Sequence, residues 1–196
     1  MRPSKTTTKH KLEFGDFQTP CDLAAEICSF LRARGVQPQT IIEPTCGKGS
    51  FIIAALHTFD SVRQIIGLDI NQDYLRELSG NVTSARIDVR LLNQNIFDVD
   101  WDVTFADVPQ PVLVIGNPPW VTNAQLGAFN SVNIPRKSNF RADKGLDALT
   151  GKSNFDISEW MLLRICDWVQ NKHAVVAMLC KTTVARKSCG TSGNTT

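Results

Sequence analysis

The chain has 196 residues, 42% hydrophobic and 20% charged, which suggests about one folded domain and excludes intrinsic disorder. Its 21 basic and 19 acidic residues give a net charge of +2, which excludes a histone-like polycation but leaves room for a local basic groove. No apolar run approaches the ~18 residues of a membrane span, and the basic N-terminus lacks the apolar stretch of a secretory signal.

The first half of the chain predicts helices and strands in alternation. Residues 1–13 are polar and basic, and we expect a disordered tail there. The predicted elements are a helix from Thr19–Pro20 to Gly35, a strand over 40–43, a helix from Ser50, a strand over 64–69, a helix capped by Asn71 and reaching about Leu78, and a strand over 89–92.

The second half adds two strands, a helix and two segments without a clear pattern. Strands are predicted over 111–115 and 174–179, and a helix over 155–169. Residues 121–154 carry more basic than acidic side chains and form either a functional lid or a solvated charged loop. Residues 188–196 are expected to form a disordered tail.

The predicted strands are almost continuous apolar runs that alternate with helices. This pattern is typical of an α/β fold in which helices cover both faces of a parallel sheet. Ligands of such sheets bind beyond the carboxyl ends of the strands, where the strand order reverses. Polar clusters follow the predicted strands at their carboxyl ends, so we expect the functional site there.

The six cysteines form neither a CxxC pair nor a cluster with zinc-ligand spacing. Four of them lie in apolar, helix-like or strand-like stretches, where a free cysteine behaves as a small hydrophobic residue. We therefore expect a reduced, cytoplasmic protein without a structural metal.

A turn with two glycines joins the first predicted strand to the next helix. Gly47 and Gly49 let the backbone pass close to a ligand where a side chain would collide. A P-loop needs a glycine five residues before the Gly-Lys pair, and Ile42 stands there, so we exclude that motif. The dinucleotide pattern G-x-G-x-x-G fails as well, because Ile52 replaces its third glycine.

Asp69 ends the second predicted strand, about 20 residues after this turn. A carboxylate in that place accepts hydrogen bonds from both hydroxyls of a ribose, although an aspartate there can also simply cap the following helix. The glycine turn and Asp69 together favour an adenosine ligand that lacks the diphosphate of a dinucleotide.

The run Asn117-Pro118-Pro119-Trp120 follows the fourth predicted strand. Two prolines remove two backbone donors and fix two φ angles, so the turn is rigid and presents carbonyl acceptors. An asparagine carbonyl beside them suits an amino group with two hydrogens to donate, and binding both hydrogens frees the nitrogen lone pair for attack. Trp120 offers a flat surface on which a base stacks, worth ~1–3 kcal/mol. The alternative is a plain proline turn with a buried tryptophan.

Seven segments occur in a family order: GDFQTP at 15–20, EPTCGKGSF at 43–51, LDIN at 68–71, NQNIFD at 93–98, NPPW at 117–120, NFDISEWML at 154–162 and AVVAMLCKTTVARK at 174–187. Over roughly residues 14–187 the chain resembles the gamma-type adenine-N6 DNA methyltransferases of restriction–modification systems. NPPW and the glycine turn are typical of amino-group methyltransferases in general, whereas FQTP and KTTVARK favour the DNA enzymes. Too few residues separate Asn95 from Asn117 for a recognition domain of the alpha type, and the late NPPW argues against the beta type.

The resemblance implies a Rossmann-like fold that binds S-adenosylmethionine. The cofactor-binding positions that it implies are Thr19 and Pro20 over the methionine end, Glu43, Cys46 and Gly47 in the cofactor turn, Asp69 at the ribose, and Asn95 with Ile96 at the adenine. The family often has aspartate where Asn95 stands, so we expect a weaker contact with the adenine amino group here.

The resemblance also implies a catalytic group made of Asn117, Pro118, Pro119 and Trp120. Trp120 would stack on the target base, and Phe155 would line the target or cofactor pocket. The expected reaction is in-line transfer of a methyl group to the amino nitrogen of an adenine flipped out of double-stranded DNA. No general base is required, and the histidines have no spacing that suggests one.

The family normally continues beyond KTTVARK with further strands and a target-recognition domain. We therefore expect residues 14–187 to be a partial catalytic domain without its last strands, through a fragmented gene or an artificial boundary. The strand over 174–179 would then have an exposed apolar edge, and a separate chain could supply the missing parts.

Two alternatives stay open at this point. One is a methyltransferase that acts on a ribosomal RNA base or a protein glutamine amide, which the NPPW run also permits. The other is a non-catalytic subunit that only binds the cofactor.

Overall fold

A computed structural model describes residues 18–82, 86–120 and 157–191, with side chains up to residue 186. These residues belong to two compact units. The larger unit comprises residues 18–118 and 164–179, and the described part of the smaller unit comprises 119–120, 157–163 and 180–191. The expected N-terminal tail over 1–13, the basic segment over 121–154 and Phe155 lie outside the described residues.

The described elements follow the alternation that the sequence predicts. In chain order they are α1 (Cys21–Ala33), β1 (Thr40–Glu43), α2 (Ser50–Thr58), β2 (Gln64–Asp69), α3 (Gln72–Asn81), β3 (Asp88–Asn93), a 3-10 turn (Ile96–Asp98), α4 (Trp101–Thr104), β4 (Val112–Gly116), α5 (Ile157–Val169), β5 (Ala174–Met178) and α6 (Thr182–Thr191). None of these helices is long and apolar enough to cross a membrane.

The larger unit contains a five-stranded sheet in the order β3-β2-β1-β4-β5, and every neighbouring pair is parallel. In the register of the central strands, Ile41 of β1 pairs with Ile65 of β2 and Leu113 of β4. From β1 the chain moves outward to β3 and then returns to the other side, so the strand order reverses between β1 and β4. The carboxyl ends of β1 and β4 therefore border the position where ligands of such sheets bind.

Both faces of the central strands are buried, as the continuous apolar runs predict. Ile41, Ile65 and Leu113 pack with α1, α2 and α3 in the main core. Ile42 and Ile66, the next residues on two of these strands, are fully buried as well and point to the opposite face. The parallel, doubly covered α/β fold is therefore confirmed.

A second cluster of buried side chains in the larger unit is aromatic. The rings of Trp101, Phe105 and Trp168 have centroids 5.0 to 5.8 Å apart, in tilted and edge-on arrangements that such rings favour. Trp101 begins α4, a helix of four residues that the sequence analysis missed because it is too short to show a period.

α6 corrects the predicted C-terminal tail. The sequence assigns residues 188–196 to a disordered segment, whereas the helix that begins at Thr182 continues to Thr191. Each residue added to an existing helix gains a hydrogen bond without a new nucleation cost, so a helix anchored by the buried Val184 extends into polar residues. Residues 192–196 lie outside the described part of the chain.

Candidate functional site

The glycine turn after β1 is closed by backbone hydrogen bonds. The Cys46 N–H donates to the Leu68 carbonyl at 2.8 Å, which ties the turn to β2, and the Gly49 N–H donates to the Cys46 carbonyl at 2.7 Å. Gly47 and Gly49 have φ values of 51° and 79°, in the left-handed region where a side chain is strained. The turn therefore requires its glycines for backbone conformation, whatever it binds.

Asp69 at the end of β2 holds this turn in place. Its Oδ2 accepts the Gly47 N–H at 2.8 Å, and its Oδ1 accepts the Asn71 N–H at 2.7 Å. The cap of α3 is a different residue, because Asn71 Oδ1 accepts the N–H groups of Asp73 and Tyr74. The alternative that Asp69 merely caps the helix is therefore wrong, and the prediction that Asn71 caps it is confirmed. A carboxylate offers about four acceptor positions, so Asp69 can hold the turn and still bind a ribose.

Glu43 at the end of β1 is 3% exposed, and its Oε2 has no hydrogen-bond partner among the described residues. Burial raises the pKa of this carboxyl well above its usual value, and the charge of Asp69 raises it further, against a hydrogen bond from the Ile52 backbone. A buried acceptor without a donor is costly, so Glu43 is placed to receive a ligand donor, above all a cationic one.

The Cys46 side chain is buried in the turn. Burial raises the pKa of its thiol, and the charges of Glu43 and Asp69 raise it further, so the sulfur stays protonated. Its Sγ lies 3.2 Å from the position that a Cβ on Gly67 would occupy, which shows how closely β2 approaches the turn.

Asn117 follows β4, and its amide has two different environments. Nδ2 donates to the Thr19 hydroxyl at 3.4 Å, whereas the buried Oδ1 has no partner among the described residues. The segment before α1 is itself tied to the glycine turn. The Thr19 carbonyl accepts the Ser50 hydroxyl at 2.8 Å, and Gln18 Oε1 accepts the Lys48 N–H at 3.0 Å. Pro20 is exposed and provides the N-cap of α1.

The end of β3 supplies Asn95 and Ile96 beside β2. Asn95 Oδ1 accepts the Phe97 N–H at 3.1 Å and caps the 3-10 turn, while Ile96 is buried. Ile70, which directly follows Asp69, was not among the predicted site residues and is 41% exposed. Asn93 Nδ2 donates to the Ile70 carbonyl at 3.0 Å, so the backbone there is fixed.

Four of the predicted site residues of the larger unit are joined in two hydrogen-bonded pairs. Thr19 bonds to Asn117, Gly47 bonds to Asp69, and Gln18 contacts the turn that carries Gly47. Two histidines lie at the other end of the sheet. His57 is in the last turn of α2 and His173 directly precedes β5, so neither reaches the carboxyl ends of the strands.

The NPPW run crosses from the larger unit into the smaller one. Pro118 is buried in the larger unit, and Pro119 is half-buried in the smaller one. Within the smaller unit, Trp120 is 46% exposed and its carbonyl accepts the Lys181 ammonium group at 3.4 Å. The alternative of a proline turn that serves a buried tryptophan is therefore wrong.

Comparisons with known proteins agree with this architecture. A family model for N-6 DNA methylases matches residues 4–184. The type II methyltransferase M.NspV of Nostoc sp. is 47% identical over 182 residues, which cover 91% of this chain and 38% of that protein. The chain thus spans less than two-fifths of the length of this relative.

Two solved structures align with the chain at low sequence identity. The crystal structure of PH0851 aligns with a TM-score of 0.51 at 9% identity, over 98% of this chain and 41% of that one. The methyltransferase subunit of a type I restriction–modification system from Streptococcus thermophilus aligns with a TM-score of 0.42 at 21% identity, over 55% of this chain and 24% of that one. Only the first likeness is close enough to support the fold.

Proposed function

The chain belongs to the N-6 DNA methylase family, and on that premise we propose that it methylates DNA. In this proposal it transfers the methyl group of S-adenosylmethionine to the N6 amino group of an adenine flipped out of double-stranded DNA. The observation that carries the proposal is the Asn117 amide, whose buried Oδ1 has no hydrogen-bond partner among the described residues. Asn117 directly follows β4, and the carboxyl end of β4 borders the position where ligands of such sheets bind.

The residues at the other strand ends fit the cofactor group by group. Glu43 Oε2 is a buried acceptor that suits the ammonium group of a methionine moiety. Asp69 has the acceptor capacity for two ribose hydroxyls, and the exposed Ile70 offers an apolar surface for an adenine ring. Asn95 Oδ1 is a neutral acceptor for the adenine amino group. When bound, S-adenosylmethionine supplies an electrophilic sulfonium methyl group.

In this reaction the protein itself only accepts hydrogen bonds from the target amino group and orients it. Asn117 Oδ1 and the Pro118 carbonyl accept the two hydrogens of the target amino group, which localises the lone pair on its nitrogen. The same two acceptors orient that lone pair toward the methyl donor. No protein base is needed before attack, in agreement with the distance of His57 and His173 from the strand ends.

DNA is the proposed macromolecular partner, and Trp120 is the proposed stacking surface for the flipped base. An exposed aromatic ring suits that role, because stacking on a base contributes about 1–3 kcal/mol. The family model favours DNA over the alternative of RNA or a glutamine amide.

The test measures binding and transfer separately. Calorimetry with S-adenosylmethionine is followed by transfer of a radiolabelled methyl group to DNA, ribosomal RNA and a glutamine-containing peptide. We expect binding and methylation of DNA. The Asn117→Ala variant should keep its affinity for the cofactor within about a factor of two and lose about 100-fold or more in transfer.

The matched control is Asn171→Ala, which truncates an exposed asparagine two residues before His173, at the amino end of β5. It should transfer at the wild-type rate. Transfer by Asn117→Ala at the wild-type rate would remove Asn117 from the mechanism. Methylation of RNA or peptide alone would favour the other substrates, and cofactor binding without any transfer would favour a non-catalytic subunit.

A further inference from the structure

The Thr19 hydroxyl is the hydrogen-bond acceptor of the Asn117 amide. Asn117 Nδ2 donates to Thr19 Oγ1 at 3.4 Å, across 98 residues of sequence. This contact concerns the half of the amide that faces away from the proposed chemistry. It is separate from the cofactor role that the resemblance gives to Thr19.

Thr19 is held by groups other than Asn117. Its carbonyl accepts the Ser50 hydroxyl at 2.8 Å, and Pro20 restricts the backbone on its other side. The preceding Gln18 Oε1 accepts the Lys48 N–H at 3.0 Å. These contacts fix the position of Thr19 independently of its hydrogen bond with Asn117.

The orientation of the Asn117 amide decides whether the site can work. With Oδ1 toward the target, the amide accepts a hydrogen of the amino group. Rotated by half a turn, it would present its own NH₂ group, and two donors would face each other. In the structure Oδ1 is buried without a described partner, so no hydrogen bond to this oxygen fixes the orientation of the amide. The hydrogen bond that fixes the orientation is the one from Nδ2 to the Thr19 hydroxyl.

We propose that Thr19 is a positioning residue that orients Asn117, so that Oδ1 faces the target amino group. This proposal rests on the proposed function for its catalytic consequence, but its structural content is independent of any substrate. Thr19 acts through Asn117 and needs no contact with the methylated base.

The test compares Thr19→Val, which keeps the shape of the side chain and removes the hydroxyl, with Thr19→Ser, which restores it. The structural readout is the pair of side-chain amide proton resonances of Asn117, identified by their loss in Asn117→Ala. We expect these resonances to shift and their exchange with water to accelerate in Thr19→Val. In Thr19→Ser they should return toward the wild-type positions.

The kinetic readout is methyl transfer at saturating cofactor. We expect kcat to fall about 10-fold to 100-fold in Thr19→Val and to recover in Thr19→Ser. The matched control is Thr58→Val, which removes a hydroxyl that donates to the Ala54 carbonyl at the far end of α2. It should leave both readouts at their wild-type values.

Two results would overturn the proposal. One is an unchanged set of Asn117 amide resonances in Thr19→Val, and the other is a Thr19→Ser variant that behaves like Thr19→Val in both readouts. A wild-type chain that transfers no methyl group would contradict the proposed function instead. The amide resonances would then decide alone whether Thr19 holds Asn117.

Discussion

The polar side chains at the carboxyl ends of β2 and β4 differ in whether their oxygens accept hydrogen bonds. Both carboxylate oxygens of Asp69, the last residue of β2, accept backbone N–H groups at 2.8 and 2.7 Å. After β4, the Asn117 Oδ1 is buried without a partner in the described part of the chain. The first arrangement stabilises the fold and shapes a turn, whereas the second costs stability and leaves an acceptor for a ligand. Substitutions at the two positions should therefore separate stability from chemistry.

The largest effect on folding is expected at Asp69. Asp69→Ala leaves the N–H groups of Gly47 and Asn71 without their acceptor, and each such loss costs about 1–3 kcal/mol. We expect a lower urea midpoint and a marked loss of affinity for S-adenosylmethionine. Asn117→Ala removes an oxygen without a described partner, so its midpoint should stay near that of the wild type.

Asp60→Ala is the matched control for this comparison, because Asp60 is exposed in the loop before β2. The measurement is urea unfolding of the four proteins under one buffer condition. If Asp69→Ala and Asp60→Ala lost the same stability, the hydrogen bonds of Asp69 would contribute nothing to the fold.

Glu43 extends the comparison to pH. Since burial raises its pKa in the folded state, the protonated carboxyl stabilises the fold fully below the unfolded value of 4.5, and this contribution is lost as the pH rises. Glu43→Gln has no charge to gain. Its Tm should therefore increase relative to the wild type as the pH rises from 4.5 toward neutrality.

The exposed Glu26 of α1 provides the control Glu26→Gln, which makes the same substitution outside the core. Thermal unfolding at several pH values measures both differences. A constant difference for Glu43→Gln would mean that this carboxyl titrates normally. Saturation with S-adenosylmethionine should reduce the effect, because a cationic group beside Glu43 favours its charged form.

The smallest expected effect is a gain at Asn95. Its Oδ1 accepts the Phe97 N–H, and Asn95→Asp keeps that acceptor while adding a charge. Charged acceptors form stronger hydrogen bonds, so the Kd for S-adenosylmethionine should fall about 3-fold to 10-fold, measured by calorimetry.

The nearby Asn93 provides a control in which the same substitution should change the affinity for S-adenosylmethionine in the opposite direction. Its Nδ2 donates to the carbonyls of Asp69 and Ile70, and an aspartate cannot donate there. Asn93→Asp should therefore weaken binding. Equal changes in Asn95→Asp and Asn93→Asp would show that general charge, and not the adenine contact, controls affinity.

Much of the fold was predictable because it depends on local chemistry. Short segments with apolar centres identified strands such as β1 and β2, since both of their faces are buried. Gly35 was identified as the end of α1, and its φ of 83° explains why a glycine stands there. Asp69 was predicted as a site residue from its position at the end of an apolar strand, and that role stays a prediction. Its hydrogen bond to the Gly47 N–H was not predicted.

Other features depend on contacts that leave no local signal. α4 is too short to show a period, and α6 extends through residues whose composition is typical of a tail. The cost of the unpaired Glu43 oxygen follows from its burial, which a single sequence position does not reveal. The cofactor-binding, catalytic and base-stacking roles predicted for the site residues, with those of Pro20, Cys46 and Phe155 among them, stay predictions.

The amino-acid sequence alone determined which segments are strands, which residues end them and which motifs follow, because periodicity, turn chemistry and side-chain type act over a few neighbouring residues. Only the tertiary structure decided that β1 lies between β2 and β4, so that Glu43 and Asn117 border one reversal of the strand order. It also decided that the Thr19 hydroxyl meets the Asn117 amide. Strand order and contacts between distant residues arise from packing of the whole sheet, and no local pattern records them.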